Sequence, residues 1–257
     1  YKRQIPSYAT RLAEVMYEEG IDPRKDTKLH TVCIGAEPHS EEQRKRIEQL
    51  LGVKAYNCFG MSEMNGPGVA FECTEQNGLH IWEDNVIVEI VDPVTLQPVP
   101  EGEVGELVLT TINREAMPLL RYRTRDLTCI LPGDCPCGRT HKRLARFKGR
   151  SDDMIILKGV NLFPIQIEKI LMQFKELGSN YLITLETIGN SDEMLIEVEL
   201  SDLFTDDYSA LQRLTKGITR QLKDELLLTP RIKLVAKGSL PTTDGKAVRV
   251  KDHRKLC

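Results

Sequence analysis

The first 60 residues alternate between helical and strand-like hydrophobic patterns. Leu12, Val15 and Met16 recur at helical spacing and predict a helix over 8–20. The apolar run at 29–35 predicts a buried strand, and a second helix and a second strand are expected to follow it. Strand, helix and strand joined by short links predict part of a parallel sheet.

The ends of the second helix, at 40–52, are marked by their side chains. Ser40 and Gln43 have the spacing of a capping box, in which each side chain binds a backbone N–H of the other residue. Gly52 stands where a helix commonly ends in a left-handed residue. We therefore predict that the helix begins after Ser40 and ends at Gly52.

Residues 79–148 change to a pattern typical of strands. Segments 79–92, 102–112 and 126–131 are rich in β-branched and aliphatic residues and are separated by turns containing proline and glycine. This pattern predicts a small antiparallel subdomain or barrel.

From residue 149 onward the pattern changes again. A strand at 154–159 precedes an amphipathic helix at 163–174 and a hairpin turning at Gly189 and Asn190. A long helix and a last strand complete the order βαββαβ, which is typical of a compact split-βαβ domain. The predicted fold class is therefore α/β plus α+β. The predicted domains are the end of a large α/β domain at 1–78, a β-barrel-like subdomain of it at 79–150, and a small βαββαβ C-terminal domain at 151–257.

Composition narrows the class of protein. The chain has 257 residues and a net charge of −3, which provides no general attraction to nucleic acid or to an anionic membrane. It contains no apolar run long enough to cross a bilayer and no signal-peptide pattern, so we predict a cytoplasmic protein. Its seven cysteines are scattered and odd in number, which argues against a disulfide framework. The chain starts at Tyr1, with a helix predicted a few residues later, as expected of an entry into the middle of a domain.

A loop at 57–73 follows a predicted strand and carries groups suited to a nucleotide. Phe59 supplies a flat ring next to Gly60, Ser62 a hydroxyl, and Glu63 a carboxylate of the kind that binds Mg²⁺. A glycine-rich turn with a solvated glutamate is the alternative interpretation. The small residues at 35–36 end another strand, at an edge where open α/β sheets bind ligands.

Charged residues cluster in two later segments. Arg121, Arg123 and Arg125 crowd around Asp126, which we expect to stay ionised and to accept hydrogen bonds from a ribose diol. Exposed ion pairs of little energetic value are the alternative. Arg150 follows in a polar stretch that has the character of an interdomain linker.

The chain resembles the adenylate-forming (acyl-CoA synthetase-like) superfamily in six segments that occur in the family's order: GAEP, FGMSE, GELVLTT, RYRTRD, KGRSDDMIILKGVNLFP and DGKAVRV. Within it, GMSEMNGPGVAFEC, RYRTRDLT and GRSDDMIILKGVNLFP are most similar to the phenylacetate–coenzyme A ligase branch. The resemblance runs nearly end to end. It implies that ATP and a carboxylic acid give an acyl adenylate and pyrophosphate, after which coenzyme A displaces AMP. The phosphate-binding loop of the family lies upstream of the GAEP segment, so we expect that this chain does not contain it.

The resemblance also implies roles for individual residues. Lys246 matches the catalytic lysine of the C-terminal domain, which the family uses as a lid, and Asp152 matches the hinge. Ser62 would meet a phosphate, and Glu63 would hold Mg²⁺. The nucleotide site would comprise Ala36, Glu37, Pro38, Phe59, Gly60, Met61, Ser62, Asp126 and Arg150, and the coenzyme A tunnel would be bordered by Lys158, Gly159 and Val160.

Three cysteines and a histidine have the chemistry of a zinc site. Cys135 and Cys137 lie in a C-x-C turn, and Cys73 and His80 would complete a tetrahedral set, with His141 as an alternative to His80. Plain thiols without a metal are the competing interpretation. A zinc ion here would be structural, because no ligand position is left open.

The sequence therefore predicts an enzyme that joins an aryl carboxylic acid to coenzyme A with ATP, and the resemblance implies a homodimer. Two rivals remain: an acid-activating enzyme that does not use coenzyme A, and a non-catalytic nucleotide-binding protein. The basic tail that begins at Lys246 is the one feature that indicates nucleic acid, and a solvated charged face explains it as well.

Overall fold

The computed structural model describes residues 2–64, 66–189, 191–201, 207–241 and 247–254, with the backbone alone for Lys2, Arg3 and Pro67. In the first part the elements are β1 (Lys2–Gln4), α1 (Pro6–Glu18), α2 (Pro23–Asp26), β2 (Thr31–Gly35), α3 (Glu41–Leu51), β3 (Lys54–Met61), a 3₁₀ turn (Ser62–Met64), β4 (Gly66–Glu72), β5 (Leu79–Ile81), β6 (Val86–Val91), β7 (Gly105–Thr111), β8 (Tyr122–Thr128), β9 (Ile130–Leu131), β10 (Arg143–Leu144) and β11 (Gly149–Arg150). They are followed by β12 (Ile155–Leu157), β13 (Val160–Leu162), α4 (Pro164–Leu171), β14 (Leu177–Ile188), β15 (Ser191–Leu200), α5 (Tyr208–Leu226), β16 (Arg231–Val235) and β17 (Val250–Asp252).

The first sheet has the strand order β1-β2-β3-β4-β5-β10-β9. Strands β1, β2 and β3 are parallel, and the remaining pairings are antiparallel. Helices α1 and α3 cover the parallel part through Ala13, Ile34 and Ile47, all fully buried. The predicted strand–helix–strand unit is confirmed.

A close approach of two backbones fixes the end of β2. Gly35 pairs with Cys58 of β3, and a Cβ on Gly35 would lie 2.1 Å from the Cys58 carbonyl oxygen. Only glycine fits at that distance, because any other residue would force the strands apart. The close fit places the segment after β2 directly beside the second half of β3.

A second, four-stranded antiparallel sheet has the order β11-β8-β7-β6. The apolar stretch at 79–92 supplies both β5 of the first sheet and β6 of the second, and Leu79 and Ile90 share one core with Leu107 of β7. Of the two predicted forms, subdomain or barrel, the structure has the open sheet, since no pairing among the described strands joins β6 to β11.

The C-terminal part has the predicted order βαββαβ. Where one first strand was predicted, β12 and β13 form a small hairpin. Strands β14 and β15 form the long hairpin of a four-stranded sheet ordered β16-β15-β14-β17. Helices α4 and α5 pack on this sheet through Ile170, Ile183 and Ile218. Strand β17 is an additional edge strand, parallel to β14.

The fold class expected from the sequence is confirmed: an α/β part followed by an α+β part. The domain boundaries after residues 78 and 150 remain a proposal. The first of these boundaries lies inside the core that the first two sheets share. In the described part of the chain, no helix has the length and apolar character needed to span a membrane.

Candidate functional site

The edge at the carboxyl ends of β2 and β3 brings two predicted segments together. The pairing of Gly35 with Cys58 sets Ala36 and Glu37 next to Phe59. Ala36 has a left-handed backbone with φ of +66°, which turns the chain away from the sheet immediately after the strand. The predicted neighbours Ala36, Glu37, Pro38, Phe59, Gly60 and Met61 therefore lie at one edge of the sheet.

The ring of Phe59 is half-buried and packs against Phe147. The two ring centroids are 4.4 Å apart and the planes are tilted by 42°. Phe147 precedes Lys148, whose N–H donates to the Leu127 carbonyl at 2.9 Å, so this contact links β3 to the edge of the second sheet. The sequence indicated Phe59 as a stacking surface but provided no signal for Phe147.

Asp126 and Arg150 lie opposite each other in the second sheet, as register partners on β8 and β11. The Arg150 guanidinium donates two hydrogen bonds of 2.8 Å to the Asp152 carboxylate and one of 3.2 Å to the Thr124 carbonyl. The hydrogen bonds from Arg150 lower the pKa of Asp152. Arg150 thus lies opposite the predicted ribose-binding residue and binds the predicted hinge residue.

The arginines before Asp126 have other partners than the sequence indicated. Arg121 pairs with Glu89 at 3.1 Å, and Arg123 makes a bidentate pair of 2.8 and 2.7 Å with the fully buried Glu106. Hydrogen bonds from Arg123 lower the pKa of Glu106. The expectation that Arg121 and Arg123 surround Asp126 is therefore wrong, because these two arginines are paired with glutamates on β6 and β7.

Ser62 and Glu63 form the 3₁₀ turn directly after β3, with Ser62 exposed and Glu63 half-buried. Arg114 donates a hydrogen bond to the Glu63 backbone carbonyl, which holds the turn against the segment after β7. One carboxylate at this edge of the sheet is compatible with Mg²⁺, which proteins commonly bind through one or two carboxylates together with substrate phosphates.

Lys158 and Gly159 are the two turn residues between β12 and β13. Both have positive φ, +50° and +80°, as a two-residue turn of type I′ requires. The Lys158 ammonium is 2.8 Å from the Glu193 carboxylate, and Val160 packs on the C-terminal core. Lys158 and Gly159 therefore form an exposed hairpin tip, and Val160 begins the strand that returns to the core.

Lys246 lies outside the residues that the structure describes. The next residue, Ala247, is described, and its N–H donates to Glu37 Oε1 at 2.9 Å. Glu37 Oε2 accepts from the Ser7 N–H, also at 2.9 Å. Each Glu37 oxygen thus binds a backbone donor, one from the C-terminal part and one from helix α1.

A second carboxylate joins the two parts, and sequence reasoning missed it. Glu168 Oε1 accepts from the Ser40 N–H at 2.8 Å, and Glu168 Oε2 accepts from the Tyr181 hydroxyl at 3.1 Å. Burial raises the pKa of this carboxyl. A sequence signal was present, because Glu168 stands three residues before Leu171, at the spacing that places both on one face of α4.

Four side chains form a compact cluster at the far end of the first sheet. The ligand atoms of Cys73, His80, Cys135 and Cys137 all lie within 4.8 Å of one another. Cys73 Sγ is 3.6 Å from Cys135 Sγ, and Cys137 Sγ is 3.4 Å from His80 Nε2. His80 therefore occupies the position for which His141 was the alternative, while the His141 ring packs near Trp82.

The cluster has the character of a cation site. Burial raises the pKa of Cys73, whereas hydrogen bonds from Arg139 lower the pKa of Cys137. Ligands arranged tetrahedrally at the usual Zn–S and Zn–N distances would lie roughly 3.6–3.8 Å apart, close to the two separations found. The residues present therefore fit a four-coordinate zinc ion.

Two family models match the chain. The AMP-binding enzyme model matches residues 4–113, and the model of the AMP-binding enzyme C-terminal domain matches residues 159–254. Phenylacetate-coenzyme A ligase of Thermus thermophilus is 42% identical over 97% of this chain and 59% of its own length. The enzyme of the same name from Pseudomonas putida is 43% identical over 97% of this chain and 56% of its own length. The chain thus spans somewhat more than half the length of these curated relatives.

The solved structures add information about the arrangement of the two parts. The chain superimposes on 2-hydroxyisobutyryl-CoA ligase in its postadenylation state with a TM-score of 0.90, at 32% identity over 97% of this chain and 54% of that one. With the same ligase in its thioesterification state the TM-score is 0.57, at 33% identity over 98% and 54% of the two chains. The arrangement described here is therefore similar to the former.

The family models cover both parts of the fold, and the curated relatives align along nearly all of it. The chain belongs to the AMP-binding, adenylate-forming enzyme family, in the branch of the phenylacetate–coenzyme A ligases.

Proposed function

We propose that the protein joins an aryl carboxylic acid to coenzyme A at the expense of ATP, through an acyl-adenylate intermediate. One observation carries this proposal. Residues of the family motifs meet at the carboxyl edge of β2 and β3, with Ala36 beside Phe59, in a chain that is 42% identical to a phenylacetate-coenzyme A ligase. That edge is where open α/β sheets bind ligands.

In the first step the acid's carboxylate attacks the α-phosphorus of ATP and pyrophosphate leaves. Phe59 stacks on the adenine, Ala36 and the backbone of Glu37 line its edge, and Asp126 accepts hydrogen bonds from the ribose hydroxyls. Lys246 contacts the reacting oxygens and neutralises the charge that builds on them. Ser62 donates to a phosphate oxygen. Mg²⁺, held in part by Glu63, would neutralise further phosphate charge when bound.

In the second step the coenzyme A thiolate attacks the acyl carbon and AMP leaves as the carboxyl–phosphate bond breaks. The hairpin tip formed by Lys158 and Gly159, together with the adjoining Val160, borders the pantetheine. Asp152, which is paired with Arg150, marks the pivot between the parts, and its position between β11 of the second sheet and β12 supports this role. A homodimer and a cytoplasmic location remain predictions from the sequence.

A panel of aryl and aliphatic carboxylic acids, assayed on the complete gene product, tests the proposal. We expect pyrophosphate release that depends on Mg-ATP and on an aryl acid, and an acyl-CoA thioester only when coenzyme A is added. Acid-dependent pyrophosphate release without any thioester would favour the acid-activating enzyme. Nucleotide binding without pyrophosphate release from any acid would favour the non-catalytic protein.

We also propose that Cys73, His80, Cys135 and Cys137 bind a structural zinc ion. The ligands come from the end of β4, from β5 and from the loop between β9 and β10. These segments contribute short strands of only two or three residues at that end of the sheet. Metal bonds would brace an edge that few backbone hydrogen bonds hold together.

Elemental analysis of the purified protein tests the zinc proposal. We expect about one zinc per chain, lost in the Cys135→Ser/Cys137→Ser variant together with a lower melting temperature. Cys33→Ser is the matched control, because Cys33 lies outside the cluster. A metal-free wild-type protein whose melting temperature is unaffected by the double substitution would contradict the site.

A further inference from the structure

The two parts of the chain meet through a reciprocal pair of carboxylates. Glu37, in the loop between β2 and α3, accepts a backbone N–H from Ala247 of the C-terminal part at 2.9 Å. Glu168, on α4 of the C-terminal part, accepts the backbone N–H of Ser40 at 2.8 Å. Each part therefore supplies one carboxylate acceptor and one backbone donor. The acceptor and the donor of the first part, Glu37 and Ser40, both lie in the short loop 36–40.

Each carboxylate is held in place by a second donor from its own side. The Ser7 N–H at the start of α1 binds the other oxygen of Glu37 at 2.9 Å. The Tyr181 hydroxyl on β14 binds the other oxygen of Glu168 at 3.1 Å, and the Arg249 guanidinium stacks over the Tyr181 ring at 4.6 Å. The remaining oxygen of each carboxylate is thereby aimed at the opposite part. Hydrogen bonds to a charged acceptor are roughly twice as strong as neutral ones.

A further contact supports the same docking. Arg46 on α3 donates to the carbonyl groups of Leu177 and Gly178, at the start of β14. It lies on the helix that Ser40 caps, so helix α3 and the loop before it provide part of the docking surface of the first part. The two carboxylates and Arg46 together satisfy polar groups that the interface would otherwise bury without partners.

The position of Ala247 connects the docking of the two parts with the proposed reaction. Ala247 follows Lys246, and consecutive Cα atoms in a trans chain are about 3.8 Å apart. A hydrogen bond that fixes the backbone of Ala247 therefore restricts the residue proposed to contact the reacting phosphate. Glu37 acts on that residue through the chain and makes no contact with the phosphate in this role.

We propose that Glu37 and Glu168 are positioning residues, which hold the C-terminal part in the arrangement that adenylation requires and set the segment carrying Lys246. This inference rests on the proposed function. The arrangement that they hold is similar to the postadenylation state of 2-hydroxyisobutyryl-CoA ligase and differs from its thioesterification state, with TM-scores of 0.90 and 0.57. Hydrogen bonds of 2.8–2.9 Å across an interface do not survive a rearrangement of that size, so they act in the first half-reaction only.

The test separates the two half-reactions in the complete gene product. Acid-dependent exchange of pyrophosphate into ATP reports adenylation, and thioester formation from a supplied acyl adenylate and coenzyme A reports the second step. In Glu37→Ala and Glu168→Ala we expect adenylation to fall at least ~10-fold, since each removes an acceptor from a charged hydrogen bond. Thioester formation should stay within about 3-fold of wild type, and the affinity for AMP should be unchanged in both variants.

Glu199→Ala is the matched control. Glu199 is also a buried carboxylate of the C-terminal part and accepts the Leu240 N–H at 2.9 Å, but both groups belong to the same part. It should change the two half-reactions equally or not at all. Glu37→Gln is expected to fall between wild type and Glu37→Ala, because an amide has one acceptor oxygen for two N–H donors.

Several results would overturn the inference. Unchanged adenylation in Glu37→Ala would do so, and so would an equal loss of both half-reactions in that variant or a loss explained by weaker AMP binding. Glu37 lies half-buried in a loop, so this variant tests the inference even if Glu168→Ala does not fold. A wild-type protein inactive in both half-reactions would instead contradict the proposed function.

Discussion

The Ser40 backbone N–H donates a 2.8 Å hydrogen bond to the carboxylate of Glu168, which is 128 residues further along the chain. In a capping box this N–H would bind the side chain of Gln43. Half of the box is present, since the Gln43 N–H donates to Ser40 Oγ at 3.2 Å. The other half is replaced by a residue of the C-terminal part, so the cap of α3 completes the interface between the two parts.

Replacing Tyr181 by phenylalanine should destabilise the C-terminal part. The substitution removes the hydroxyl that binds Glu168 Oε2 and leaves a buried carboxylate oxygen without that donor. We expect the free energy of unfolding to fall by roughly 1–3 kcal/mol, as measured by chemical denaturation. Tyr8→Phe, on the exposed face of α1, should change it by less than about 0.5 kcal/mol. Equal effects of the two substitutions would show that the hydroxyl contributes nothing.

Replacing Lys246 by alanine should suppress adenylation far more than AMP binding. Loss of one preorganised charge at the reacting phosphate typically costs roughly 10²–10³ in rate. Pyrophosphate exchange and AMP titration on the complete gene product measure the two quantities. Lys251→Ala, an exposed lysine on the same segment, should retain wild-type exchange. Full activity in Lys246→Ala would remove this lysine from the mechanism.

Replacing Asp126 by asparagine should weaken recognition of the ribose. A hydrogen bond to a charged acceptor contributes about 1.5–3 kcal/mol, which corresponds to an affinity loss of roughly 10- to 150-fold for AMP. Binding of 2′,3′-dideoxy-AMP, which lacks the diol, should be nearly the same in variant and wild type. The exposed Asp224→Asn on α5 is the control. Equal losses for both nucleotides would indicate a general structural defect and contradict the assignment.

The buried imidazole of His39 should make stability depend on pH. Burial, with a further contribution from the charge of Arg146, lowers its pKa to about 4. The unfolded chain binds this proton near pH 6.5, before the folded protein does, so stability is lost as the pH falls from about 6.5 towards 4. Between pH 7 and pH 5 the loss from this group is about 2 kcal/mol.

Chemical denaturation at the two pH values checks this expectation. His39→Gln should lose about 2 kcal/mol less than wild type on acidification, whereas His30→Gln, at an exposed site, should behave as wild type does. Identical pH dependence in wild type and His39→Gln would show that His39 does not titrate as its burial implies.

Much of the architecture could be predicted from local patterns. Leu12, Val15 and Met16 indicated α1, Ser40 and Gly52 marked the ends of α3, and the order of elements after residue 149 was correct apart from the added strands β13 and β17. The prediction that His80, Cys73, Cys135 and Cys137 form one cluster was also correct. It rested on residue chemistry, because thiols and imidazole are the ligands that a zinc ion prefers and the chain shows no disulfide pattern.

What the local patterns missed are contacts between distant segments. The sequence around Asp126 indicated a cluster of arginines, yet Glu89 on β6 and Glu106 on β7 bind Arg121 and Arg123, since the sheet order β8-β7-β6 brings these strands together. Glu37 was predicted as part of the nucleotide site, and no local pattern indicated that its carboxylate binds the N–H groups of Ser7 and Ala247.

The sequence by itself determined the order of helices and strands, the family, and which side chains have the chemistry of a nucleotide and a metal site, because these depend on neighbours within a few residues or on recognisable motifs. Only the tertiary structure decided which carboxylate meets which donor. Glu37 and Glu168 find backbone N–H groups 210 and 128 residues away, and an N–H group is common to almost every residue, so no side-chain pattern marks it in advance.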